Sequence, residues 1–129
     1  MKSFIESEYE IHLDDTSSEY LYFTVRGPKS NYDIARRFWT QVKSICSDYS
    51  FKGVLLHDKL MLVDDVSVAD YYALATYIAE EFKGVKLAYF RQDLPKLIHF
   101  AETVGLNKGL GSGGVFYTLE KAKEFLLEN

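Results

Sequence analysis

From residue 20 onward, short apolar runs alternate strictly with segments of helical period, and few architectures accommodate that alternation. Tyr20-Leu21-Tyr22-Phe23-Thr24-Val25 reads as a strand, rich in aromatic and β-branched residues and stopped by Gly27-Pro28. Ser30 or Asn31 then caps a helix. Its apolar positions Ala35, Phe38, Trp39, Val42, Ile45, Cys46 and Tyr49 recur on one face. Gly53-Val54-Leu55-Leu56-His57 is nearly all apolar, as the centre of a parallel sheet requires. Ser67 opens a second helix through Tyr71, Leu74, Ala75, Ile78 and Phe82, with Gly84 as its stop. Residues 85–90 form the next strand, and Pro95 begins a helix that Gly105 ends. After the glycine-rich 109–114 loop, Val115-Phe116-Tyr117 is a last short strand, and Thr118 caps a closing helix. Each strand-to-helix-to-strand step implies a crossover and a parallel neighbour.

The N-terminal segment is different. Ile5 to Leu13 alternates partly and reads as one half-buried edge strand. The turn cluster Asp14-Asp15-Thr16-Ser17-Ser18 joins it to residues 20–25 as an antiparallel pair. The expected order is β-β-α-β-α-β-α-β-α, an α/β fold with a mostly parallel, mixed sheet and four helices.

With 129 residues, 47% of them hydrophobic, the chain can bury about two thirds of its unfolded surface as one domain spanning 1–129. Residues 1–19 carry six acids against Lys2 alone, and the remainder is close to neutral. That balance provides no basic stripe for a phosphate backbone, so nucleic acid is not expected as a partner. The start lacks the apolar core of a signal peptide and no stretch approaches membrane-span length. A cytoplasmic protein, not integral to a membrane, is expected. Cys46 is the single cysteine, which excludes an intramolecular disulfide and a thiolate zinc site, and its helical face marks it as a buried hydrophobe.

No catalytic or metal constellation stands out, and no cofactor is expected. His12, His57 and His99 have no pair at ligand spacing. The 109–114 loop follows a helix and precedes a strand, the reverse of a phosphate-binding loop, and reads as a flexible connection. His57 with Asp58 ends the central strand, where open α/β sheets bind ligands, so this pair is the one candidate enzyme site. Ser67 is an N-cap by position; a phosphate there would meet a favourable helix N-terminus but also Asp64 and Asp65. Tyr71, Tyr72 and Tyr77 on one helix, with Tyr20, Tyr22 and Tyr89 on strands, either straddle the core and its rim or line an apolar pocket with hydroxyl handles.

Several segments resemble STAS domains, the sulfate-transporter and anti-sigma-factor-antagonist fold. Val25-Arg26-Gly27-Pro28-Lys29-Ser30-Asn31-Tyr32-Asp33-Ile34-Ala35 is similar to their strand-Gly-helix opening, and residues 53–82 to their central unit. Phe100-Ala101-Glu102-Thr103-Val104-Gly105-Leu106-Asn107-Lys108-Gly109 resembles the SpoIIAA-like branch in its Asn-basic-Gly loop. Phe116-Tyr117-Thr118-Leu119-Glu120-Lys121-Ala122 resembles that branch's Phe-x-x-Leu-Glu-x-Ala closing helix. The likeness spans residues 20–127. It implies a non-enzymatic module that binds a protein partner or a small apolar, lipid-like ligand, with self-association into a homodimer left open. In anti-sigma antagonists a Ser in an Asp-Ser-Ser-Gly setting is phosphorylated to switch partners. Asp65 and Ser67 match that Asp and that Ser, while Val66 and Val68 replace the first Ser and the Gly. The resemblance therefore implies Ser67 as candidate phosphoacceptor beside Asp65; from the residues themselves, His57, Asp58, Tyr71 and Tyr72 join Asp65 as candidate binding residues.

Overall fold

The computed structural model describes residues 1–61, 67–93, 98–108 and 112–128. Its strands are β1 (Lys2–Ile5), β2 (Glu10–Asp14), β3 (Tyr20–Arg26), β4 (Gly53–Asp58), β5 (Lys86–Phe90) and β6 (Ser112–Phe116). Its helices are α1 (Tyr32–Cys46), α2 (Val68–Glu81), α3 (Ile98–Asn107) and α4 (Leu119–Leu127). The strands form one sheet in the order β1-β2-β3-β4-β5-β6, so each strand neighbours the next in sequence. β1-β2 and β2-β3 are antiparallel. β3-β4, β4-β5 and β5-β6 are parallel, which puts β4 inside the sheet as its apolar run requires.

The N-terminal expectation needs correction. The single strand over residues 5–13 is two strands, folded back by a turn in which the Glu6 amide donates to the Tyr9 carbonyl at 2.9 Å. Glu6-Ser7-Glu8 supplies no apolar side chain to continue the buried alternation, so the chain reverses there. β1 then covers β2, which is an inner strand rather than an edge, and Ile5 is exposed. Two further boundaries moved. α3 runs through Gly105, which is buried within the helix. β6 begins at Ser112, so part of the glycine-rich loop is strand: parallel pairing with β5 uses only backbone groups, and Gly113 and Gly114 supply those as well as any residue. Pro95 and the 109–111 part of the loop lie outside the described residues.

Alternation along the strands builds two apolar layers. On one face Leu21, Phe23, Val25, Val54, Leu56 and Leu87 pack beneath Phe38, Trp39, Val42 and Cys46 of α1 and Phe82 at the end of α2. On the other, Tyr20, Leu55, Ala88 and Phe90 pack against Ala122 and Leu126 of α4. α1 starts at an Asn31 cap whose Oδ1 accepts from the Ile34 amide at 2.9 Å. Gly27, between β3 and that cap, cannot be replaced without movement: a Cβ there would stand 2.7 Å from the Glu8 carbonyl oxygen. Gly84, at φ +80°, makes the reversal from α2 into β5 in a region that other residues rarely adopt. No helix among the described residues is long and apolar enough to cross a membrane.

Candidate functional site

β4 ends in His57-Asp58, and consecutive strand residues point to opposite faces. The His57 ring lies on the α4 side, 4.4 Å from the Phe90 ring centroid, with Nδ1 3.2 Å from the Tyr22 hydroxyl. Burial pushes its pKa down to about 4, helped by the charges of Lys59, Arg26 and Arg91, so the ring is neutral at physiological pH. Asp58 points the other way, toward α1 and α2. The expected His57–Asp58 site is therefore not formed: the sheet separates the two side chains.

Asp58 instead anchors a buried polar network. Its Oδ1 accepts from the Leu60 amide at 3.0 Å and lies 3.0 Å from Arg91 Nη1. Its Oδ2 accepts from the Tyr89 hydroxyl at 2.7 Å. Arg91 Nε lies 2.9 Å from Asp93 Oδ1, and Arg91 Nη2 donates to the Leu60 carbonyl. Burial raises the Asp58 carboxyl above its usual range, against the opposing pull of the Arg91 charge and the Tyr89 and Leu60 donors. The Tyr89 hydroxyl is held well above its ordinary value, first by burial and then by Asp58, so it stays a donor.

This network borders a cavity of about 130 Å³, partly open to solvent, beneath α1, α2 and α3. Asp58, Tyr89 and Val115 reach it from the carboxyl ends of the parallel strands, where ligands bind in open α/β sheets. Small residues create the space: Ala35 of α1, Ala75 of α2, Ala101 and Gly105 of α3, and Gly113 of β6. Four helix positions and one strand position facing one point without bulk leave room that the larger neighbours do not fill. The aromatic residues Tyr32, Phe38, Trp39, Tyr71 and Tyr89 also line the cavity. Its charged groups among the described residues are Asp58, Asp70 and Glu102. Glu102 Oε2 accepts from the Val115 amide at 2.9 Å, tying α3 to β6.

The remaining candidate residues fall in different places. Ser67 caps α2, its Oγ accepting from the Asp70 amide at 3.1 Å, and is exposed. Asp65 lies outside the described residues. Tyr71 lines the cavity, and burial raises its hydroxyl pKa. Tyr72 is 44% exposed on the outer side of α2, with Lys108 Nζ 5.5 Å from its ring centroid, and does not line the cavity. Tyr77 lies under the Arg36 guanidinium, while Tyr20 and Tyr22 face α4. Cys46 is buried in the core, and desolvation pushes its thiol up to about 12. Among the described residues no group of three His, Cys, Asp or Glu side chains could hold a metal ion.

Sequence reasoning missed Arg91. The signal was parity: in the parallel register His57 pairs with Phe90, so Asp58 and Arg91 each follow an apolar strand on the same face.

No protein-family model matches the chain, and no curated protein matches it. Among solved structures it is similar to an uncharacterized protein of the DUF3478 family from Shewanella loihica PV-4, described as having a SpoIIAA-like fold. The similarity covers 98% of both chains with a TM-score of 0.52 at 19% identity. With a six-stranded, mostly parallel sheet and four helices among its described residues, this chain therefore has a SpoIIAA-like fold.

Proposed function

We propose that this chain is a non-enzymatic, STAS-like binding module whose cavity takes a small apolar ligand. The observation that carries this reading is the aromatic and alanine-lined cavity of about 130 Å³ at the carboxyl ends of the parallel strands. An engineered apolar cavity of about 150 Å³ takes up benzene, so the space suits one ring or a short branched chain. The fold supports a binding role by likeness, and the buried Asp58–Arg91 network provides a rigid floor.

The test is thermal denaturation of the full chain with benzene, toluene and short alkanols. At least one should raise the Tm of the wild type and leave that of Ala75→Leu unchanged, because the larger side chain occupies the site. Ala35→Val serves the same purpose if Ala75→Leu does not fold. A wild type that none of these probes stabilises beyond the filled variants would overturn the reading.

A second reading is favoured by the exposed Ser67 hydroxyl at the start of the fourteen-residue α2. A phosphoryl group there would be favoured by the helix N-terminus and would alter the surface presented to a protein partner. Intact-mass measurement of protein from its native host checks this: a form heavier by one phosphoryl group, lost in Ser67→Ala, supports it. A single unmodified mass under all growth conditions counts against it.

A further inference from the structure

We infer that the ligand of this cavity is a small organic cation carrying methyl or methylene groups on nitrogen; this rests on the binding reading above and narrows it. Tyr32, Trp39, Tyr71 and Tyr89 line the space, and the acidic residues Asp58 and Asp70 line it with them. The face of an aromatic ring is electrically negative, and a desolvated cation near it is held more tightly than an exposed one. A trimethylammonium head is apolar on its surface and charged at its centre. It therefore gains from the apolar wall as a neutral molecule does, and additionally from the rings and the carboxylates. A carboxylate or phosphate would lose hydration and meet the same negative wall.

The cationic groups nearby do not reverse this. Arg91 does not line the cavity and is shared between Asp58 and Asp93, so those three groups together carry one net negative charge. Arg36 Nη1 donates to the Tyr32 hydroxyl at 3.0 Å and its guanidinium stacks over Tyr77, on the exposed side of α1 where solvent screens it. Tyr71 adds a polar handle: it lines the cavity, so a hydroxyl on the ligand can bond its own hydroxyl.

Choline and 3,3-dimethylbutan-1-ol test the inference because they have the same shape, differing in nitrogen for carbon and hence in charge. Trp39 is the single tryptophan and lines the cavity, so its fluorescence reports occupancy of this site. Choline should bind the full chain about tenfold more tightly than the alcohol. Asp70→Asn should shrink that ratio while leaving the alcohol's affinity as it was, and 3,3-dimethylbutanoate should bind more weakly than either. Equal affinities for choline and the alcohol would overturn the cation and leave the apolar cavity standing. Failure of both, together with failure of the benzene and alkanol probes, would overturn the binding reading as well. Tightest binding of the carboxylate would overturn the sign of the recognised charge.

Discussion

Arg91 and Asp58 form an ion pair at 3.0 Å with side chains only 3% and 6% exposed, joining the ends of two parallel strands. Neither charge reaches bulk water, so each depends on the other. Breaking the pair leaves one uncompensated charge in the interior. Arg91→Met should therefore destabilise the fold by about 3–5 kcal/mol. The double variant Asp58→Leu/Arg91→Met should recover most of that loss, since two apolar groups need no solvation. Urea denaturation midpoints of the two variants decide the matter; equal losses would mean that the network works through packing rather than charge.

His57 gives the stability a pH dependence. Its folded pKa is about 4 against an ordinary 6.5, so between these values the unfolded chain binds more protons than the folded one. Stability is then fully present above pH 6.5 and falls as the pH drops toward 4. Because the ring is only half-buried, solvent screening limits the contribution to about 1–2 kcal/mol. His57→Phe should flatten this part of the curve of urea midpoint against pH. An unchanged slope in that variant would assign the dependence to the carboxylates instead.

Ser67 connects local structure to the proposed switch. Ser67→Ala removes the acceptor for the Asp70 amide and should cost about 1 kcal/mol. Ser67→Asp keeps an acceptor and places negative charge on the helix N-terminus, so its stability should stay within about 0.5 kcal/mol of the wild type. Thermal unfolding of the three proteins tests the pair of expectations. Equal losses in both variants would show that Ser67 contributes something other than a cap.

Much of the fold follows from local physics. The nearly all-apolar Val54-Leu55-Leu56 run requires burial on both faces, which places β4 inside the sheet. The α1 face from Ala35 to Cys46 is written at helical period, and Asn31, Ser67 and Thr118 cap the helices they precede. Such patterns persist because each residue's role depends on its immediate neighbours.

Tertiary structure decided the remainder, because those outcomes depend on what comes from other parts of the chain. The break between β1 and β2 is fixed by a turn hydrogen bond, and Gly105 stays helical among packed neighbours. His57 and Asp58 are adjacent in sequence yet lie on opposite faces of the sheet, whereas Arg91 is far away in sequence and pairs with Asp58. The cavity lies deepest in this category. An alanine or glycine says only that bulk is missing at one place, and a space forms when Ala35, Ala75, Ala101 and Gly113 from four elements face the same point.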